Sequence, residues 1–524
     1  MAGCKDIVVL LERILRLEQE RIPITEVDAE LKNLLGDKVV AGVVSTPTSN
    51  DANRTYRKMA EEAVAPLVLK LGVPTMLSML VTALYMTAST YYVSYLGTSA
   101  VGAMGVIFAL QTIIQAIGIM IGQGCAAQTS RLLGAKAYVH ANTLASSGLF
   151  LSLLFSSFFA LTAWAVLEWL LSWMGATATI LPYASTYAQI ILLACPFMAA
   201  SYTLNNLLRS EGLAIVGMMG LGAGGVLNIG VAPIFIFVFD WGIAGAAWAN
   251  ALCQLISFTI LLSHYLRGKG SLQIHCSFIS REAAIYFSIF KNGLPSLTRN
   301  SLGAVAASVL NLMAGRYGDA GVAAMSIVGQ VMMMTNAFLI GLGQGFQPVL
   351  GYNWGAKLFD RVKTALDVTI AMGTVLMVAL GLLGFIFAQE VVGFFEVNDP
   401  DVMNVGVLAL RLQCSVAIIV PVNVIGNMAF QVIGRTAVGT LLAATRQGLF
   451  FLPLILILPG QIGLLGVQSA QPIAEVLSFF VCGYFLWHFR TEVQNRIKIQ
   501  NSCGTLKSRS LTIKILAIID NNWH

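Results

Sequence analysis

Residues Gly343–Lys357 read GQGFQPVLGYNWGAK, and Gly122–Lys136, 221 residues earlier, read GQGCAAQTSRLLGAK, with the same G-Q-G opening and G-A-K close. The offset holds well outside the motif. Lys70, Gly72 and Pro74 fall on Lys291, Gly293 and Pro295, and Gly97, Val101, Ala103 and Met104 fall on Gly318, Val322, Ala324 and Met325. Further on, Gly242 and Gly245 fall on Gly463 and Gly466. One constant offset over so long a stretch marks a duplicated half-chain.

Both halves have the composition of a bilayer protein. Of 524 residues, 57% are hydrophobic and 11% charged, against roughly 25% charged in a soluble domain. About 20 apolar residues cross the ~30 Å hydrocarbon layer as a helix. Twelve such stretches are expected, near 68–95, 104–128, 143–168, 183–206, 213–238, 243–266, 285–314, 325–349, 365–388, 403–430, 437–458 and 463–489. Barrel strands would be shorter and half polar. The expected fold is an all-α integral membrane protein of two six-helix lobes, and an even number of spans per lobe makes the copies parallel.

The net charge of +6 marks one side of the bilayer rather than a nucleic-acid surface. Arg131 and Lys136, Arg209, Arg267 with Lys269 and Arg281, Lys357 with Arg361 and Lys363, and Arg435 with Arg446 are read as lying in every second connection. The intervening connections hold acids such as Asp240, Glu390, Glu396, Asp399 and Asp401, with Arg316 beside Asp319 the one basic exception. The positive-inside rule then places the basic side and both termini in the cytoplasm of a plasma-membrane protein.

The expected organisation is an N-terminal extension (1–62), a first lobe (63–266), a cytoplasmic connector (267–284), a second lobe (285–490) and a basic tail (491–524). In the extension, a helix is expected from Thr25 to Leu35 and a linker at Ser45–Asn53. Asp6, Glu12 and Glu18 interrupt any signal-peptide run. Leu511–Ile519 is apolar but too short to span. The eight cysteines show no C-x-x-C and read as buried fillers or reduced thiols.

Enzyme chemistry has little to stand on, since all five histidines sit at span ends, in connections or in the tail. A transporter instead needs polar groups at depth. Glu475, in QPIAEVLSFF, is the carboxylate well inside a span, and a charge centred there costs about 2.5 to 3.5 kcal/mol on insertion scales. It is the candidate proton carrier, with a paired structural acid as the alternative reading. Its repeat counterpart is Gln254. Gln123, Gln344, Asn205, Arg299, Asn427 and Gln431 are candidates for the cavity and substrate, set against the plainer role of amides that stitch helices together.

Several stretches resemble the multidrug and toxic compound extrusion (MATE) antiporters, in the bacterial branch that includes the DNA-damage-inducible type. They are GLPSLTRNSLG from Gly293, IGLGQGFQPVLGYNWGAK from Ile340, LRSEG from Leu208, RQGLFFLPLILILPG from Arg446 and QPIAE from Gln471. The resemblance covers roughly residues 65–490. It implies two six-helix lobes set in a V, a cleft that opens alternately to each side, and export of organic cations and other amphipathic drugs in exchange for Na⁺ or H⁺, with no cofactor and with the chain acting as a monomer.

The chain departs from the family where ion coupling is usual. The first-span Asp of the family is matched by Ser89, and the N-x-x-x-D-P of the fifth span reads Asn228 to Ala232-Pro233, with Asn250 at the sixth-span hydroxyl position. A cation site of Ser89, Asn228 and Asn250 lacks charge. The readings are an exporter coupled through Glu475, a uniporter or lipid-linked flippase of the wider superfamily, or a membrane receptor or scaffold.

Overall fold

The computed structural model of the protein describes residues 49–268, 270–395 and 399–520. The helix expected at Thr25–Leu35 lies outside them. Every regular element among the described residues is helical. After α1 (Ser49–Glu61), the first bundle holds α2 (Val64–Ser94), α3 (Thr98–Gly134), α4 (Tyr138–Ala165), the short α5 (Leu167–Trp173), α6 (Leu181–Ser210), α7 (Ala214–Pro233) with a π turn at Ile234–Val238, and α8 (Gly242–Leu266). The second holds α9 (Ala283–Gly315), α10 (Asp319–Gly355), α11 (Phe359–Ile386), the short α12 (Ala388–Phe395), α13 (Pro400–Ser415), α14 (Val420–Val432), α15 (Thr436–Ala444) with a π turn at Thr445–Leu449, α16 (Phe451–Ile462) and α17 (Leu464–Asp520).

The duplication sets the helix ends. α3 and α10 each have 37 residues, and α4 and α11 each have 28, with both ends of each pair 221 residues apart. The repeated G-A-K is the turn between them. Lys136 and Lys357 take φ of 59° and 58° there, a left-handed conformation uncommon outside glycine.

Ten described helices are long and apolar enough to cross a membrane, and α13 with α14, bent by 57° at their break, together make an eleventh candidate. α9 has the length, at 33 residues, but Thr298, Arg299 and Asn300 at its centre keep it from passing on apolarity. Three other expectations change. The stretch read as a linker already contains the start of α1, the tenth span is broken between Ser415 and Val420, and α17 continues as helix through most of the stretch read as a tail.

Burial shows how the bundles meet. One buried cluster draws on both, from Leu71, Met120, Cys125 and Leu204 to Leu342, Phe346, Met428 and Phe489. Two others are confined to single bundles, one around Ile107, Tyr187 and Ala247 and the other around Met313, Leu410 and Ile455. The bundles therefore share a core toward the end carrying Arg131 and Lys357 and have separate cores toward the other end.

Close backbone approach builds the shared part. A side-chain carbon on Gly134 would collide with the Tyr352 carbonyl, and one on Gly355 with the Arg131 carbonyl. These contacts are copies of each other at the 221-residue offset, so a local twofold relates the bundles. Gly124 against Gly293 and Gly345 against Gly72 form a second such pair.

Two further segments bind this basic end. α1 lies across the seam, with Lys58 Nζ donating to Gly212 O (2.9 Å) on the first bundle and Asn353 Nδ2 donating to Met59 O (3.2 Å) from the second. Tyr56 packs edge-on to Tyr352 beneath Lys136. The connector runs along the first bundle. The backbone N–H groups of Ser271, Leu272, Gln273, His275 and Ser280 donate to Glu211, Asn142, Ser146 and Ser147.

Candidate functional site

The polar groups of the second bundle converge at mid-span. Glu475 on α17 is 2% exposed and pairs with Arg446, which the π turn between α15 and α16 carries inside the span. This corrects the assignment of Arg446 to a connection. A charge in an apolar run resembles a loop until its partner on another helix is known. Asn423 Nδ2 (3.0 Å) and Gln471 Nε2 (3.2 Å) also donate to the Glu475 carboxylate. Among the described residues Asn423 Oδ1 has no hydrogen-bond partner. One guanidinium and two amides thus meet the Glu475 carboxylate, partners suited to a charge at this depth.

Arg299 on α9 lies near enough to Arg446 to act on it as a repelling charge. Its guanidinium donates to two amides, Asn427 Oδ1 (3.2 Å) and Gln123 Oε1 (3.4 Å). Asn427 Nδ2 donates to Gly439 O (2.5 Å). Gln431 is fully buried and donates to Asn292 O (3.1 Å) and Ser296 Oγ (2.7 Å).

The two repeat-matched glutamines sit in the seam and bind across it. Gln123 on α3 accepts from Ser296 of α9, and Gln344 on α10 accepts from Arg209 of α6. Between them a cavity of about 20 Å³, lined by Gln123, Ser130, Asn206, Arg209 and Gln344, has room for little more than one water. The seam is closed at this level. Asn205 lies apart from it and packs against Gly217 of α7.

At the matching positions the first bundle carries neutral residues, Gly225, Gln254 and Ser78. Gly225 packs on Tyr85 of α2, and Gly224 on Ser257 and Cys253 of α8. One turn further on come Ser89, Asn228 and Asn250, all buried, with Ala232 fully buried beyond. Ser89 Oγ, both amide atoms of Asn228 and Asn250 Oδ1 lack hydrogen-bond partners among the described residues, while Asn250 Nδ2 reaches Tyr187 OH at 3.2 Å. Sequence reasoning found Glu475 and the amides but missed Arg446 as its partner, Arg209 as a seam residue, and Asn423, Gln471 and Ser296. Arg446 had a signal, since it lies within the span 437–458.

Residues 74–234 and 295–457 match the MatE family. The chain belongs to the MatE family. The two matched segments begin 221 residues apart (295 minus 74), as the repeat does. Multidrug export protein MepA of Staphylococcus saprophyticus is 26% identical over 411 residues, covering 78% of this chain and 90% of the relative. The MepA of Staphylococcus haemolyticus is 24% identical over 434 residues, covering 83% and 95%. These matches do not single out the DNA-damage-inducible branch.

Solved structures share the fold. An outward-facing multidrug resistance MATE family transporter of the MOP superfamily superposes with a TM-score of 0.78 at 24% identity, over 85% of this chain and 98% of that one. A MOP superfamily transporter from Pyrococcus furiosus, described as having a binding pocket of reversed polarity, gives 0.78 at 24%, over 84% and 98%. This MatE chain is a multi-pass membrane transporter of the drug-extrusion type and not an enzyme. It has two lobes and handles small molecules.

Proposed function

We propose that this MatE chain works alone in the plasma membrane as a secondary active exporter of amphipathic drugs, organic cations among them, in exchange for inward H⁺ or Na⁺, with coupling placed in the second bundle. The supporting observation is the Glu475–Arg446 pair, set against a first bundle whose family carboxylate positions are Ser89 and Ala232. With both termini and the basic end cytoplasmic, as the positive-inside rule favours, the closed seam makes this the outward-open form.

The pair supplies the coupling. Glu475 can face Arg446, a proton, a Na⁺ ion or an organic cation, but not all at once. A proton on Glu475 cancels its charge and frees Arg446, which raises the positive charge at mid-span and repels a bound cation. Na⁺ would meet the carboxylate and the unpartnered Asn423 Oδ1, hard oxygen donors suited to it. The inward-open form would arise as the seam glycines part and the far ends close. The test is flux of a fluorescent organic cation in vesicles under separate pH and Na⁺ gradients. Export that follows one gradient supports the reading. Flux down the dye's own gradient, indifferent to both ions, supports a uniporter instead.

A further inference from the structure

The local twofold gives the basic end of the seam two matching clefts, and the chain treats them differently. On one side Tyr352, Asn353, Lys136 and Tyr138 lie where α1 docks. Asn353 holds Met59 O, Tyr352 and Lys136 pack on Tyr56, and Tyr138 packs against the same buried cluster as Tyr56. At the 221-residue offset these four positions become Arg131, Leu132, Lys357 and Phe359. All four line the other cleft, an open pocket of about 570 Å³ that also takes in Gln128, Trp354 and Arg496. It is bounded by α3 of the first bundle and by α10, α11 and α17 of the second.

The lining chemistry has changed from one that receives a helix to one that receives an anion. Arg131, Lys357 and Arg496 contribute three cations, and no carboxylate is among the lining residues. Among the described residues no acid comes within ion-pair distance of Arg131 or Lys357. Arg131 donates to Ala127 O (3.3 Å) and Asn292 Oδ1 (3.4 Å), which leaves its charge uncompensated. Glu492, outside the lining, pairs with Arg496 (3.0 Å) and is shared with Arg435. Arg496 is held in place over the rings of Trp354 and Phe359, at 5.3 and 5.4 Å. Aromatic rings beside clustered Lys and Arg at the ends of membrane helices suit the phosphate of an anionic lipid with its acyl chains alongside.

We propose that this pocket binds the headgroup of an anionic phospholipid, whose phosphate joins Arg131 of one bundle to Lys357 and Arg496 of the other. The bound lipid then does on its side of the seam what α1 does on the opposite side, bridging the bundles and favouring the form closed at the basic end.

The experiment is native mass spectrometry of the purified full chain. It is released from mixed micelles of phosphatidylglycerol and phosphatidylcholine, with inorganic phosphate added in a separate arm. Wild type should retain phosphatidylglycerol over phosphatidylcholine. Lys357→Gln with Arg496→Gln should cut that retention roughly thirtyfold, for two basic contacts at a lipid surface. Arg267→Gln, an exposed basic residue outside the pocket, should leave it unchanged. Inorganic phosphate should not compete. Equal retention of the two lipids, unchanged retention in the double variant, or an equal loss in Arg267→Gln would each overturn the lipid site. Full displacement by inorganic phosphate would overturn it in favour of a site for soluble phosphate. Since this reads binding and not flux, it stands apart from any failure of the transport reading.

Discussion

At the 221-residue offset, the Arg446–Glu475 pair of the second bundle corresponds to Gly225 and Gln254 of the first, and Arg299 corresponds to Ser78. The second bundle carries two cations and an acid at mid-span. The first carries neutral groups, several without partners. Elsewhere the copies agree closely. The seam glycines, the left-handed lysines and the lengths of α3/α10 and α4/α11 are preserved. The π turns do not correspond at this offset, since Ile234 maps to Ile455 and Thr445 to Gly224. Ile234–Val238 in the first bundle is apolar, while Thr445–Leu449 in the second places Arg446. Duplication accounts for the shared scaffold and seam, and substitution at a few depth positions gives one bundle charges that the other lacks.

The comparison breaks first at Glu475. Glu475→Gln should bring gradient-driven export down to the rate of protein-free vesicles while the chain still inserts and folds. Undiminished export would remove Glu475 from coupling. Next, Arg446→Gln leaves a buried carboxylate unpaired and should destabilise the chain by about 3 kcal/mol, read as a lowered thermal midpoint in detergent. Adding Glu475→Gln should restore most of that midpoint but not transport. A double variant as unstable as the single one would contradict the pairing.

The seam should respond equally from both sides. Gly134→Ala and Gly355→Ala each drive a methyl into a facing carbonyl, an overpacking cost of about 1–3 kcal/mol. Each should shift the balance away from the closed basic end by roughly tenfold or more. A large effect from one glycine and none from the other would refute the twofold seam. In the neutral bundle, Ser89→Asp with Ala232→Asp should add a few-fold response to Na⁺ or pH in the same flux assay, on the scale of a single cation contact. No response would mean this pocket no longer admits cations.

The smallest effect concerns Glu211, at the basic end beyond α6. Burial pushes its carboxyl up to about 7, while the N–H groups of Leu272 and Ser271 and the Tyr265 hydroxyl pull it back. Its contribution to stability is thus fully present below about 4.5, the ordinary carboxyl value, and is lost as pH rises through about 7. Melting of the wild type between pH 5 and 8 should show this loss, and Glu211→Gln should be flatter. An identical slope in the variant would assign the pH dependence elsewhere.

Much of this was legible in the sequence because duplication leaves long-range arithmetic behind. The offset located the repeated halves, and the apolar runs located most of the spans. Depth polarity picked out Glu475, Arg299 and the amides. The partners were not legible. Composition cannot show that Arg446 turns inward to Glu475, that Ser271–Ser280 is tied down by Asn142, Ser146, Ser147 and Glu211, or that Tyr56 and Met59 give α1 a docking face. Each depends on which helix lies opposite, and periodicity along one chain segment does not encode that.

The central claim is that two homologous bundles rock about the glycine seam so that one end opens as the other closes. Distances between spin labels test it directly. One pair replaces the exposed Val139 and Asp360 at the basic end, and the other replaces Trp169 and Phe394 at the far end, where they are 68% and 84% exposed. On switching between acidic and alkaline buffer with a drug present, the account predicts that one distance lengthens while the other shortens. Two distances that stay fixed, or change in the same direction, would contradict it.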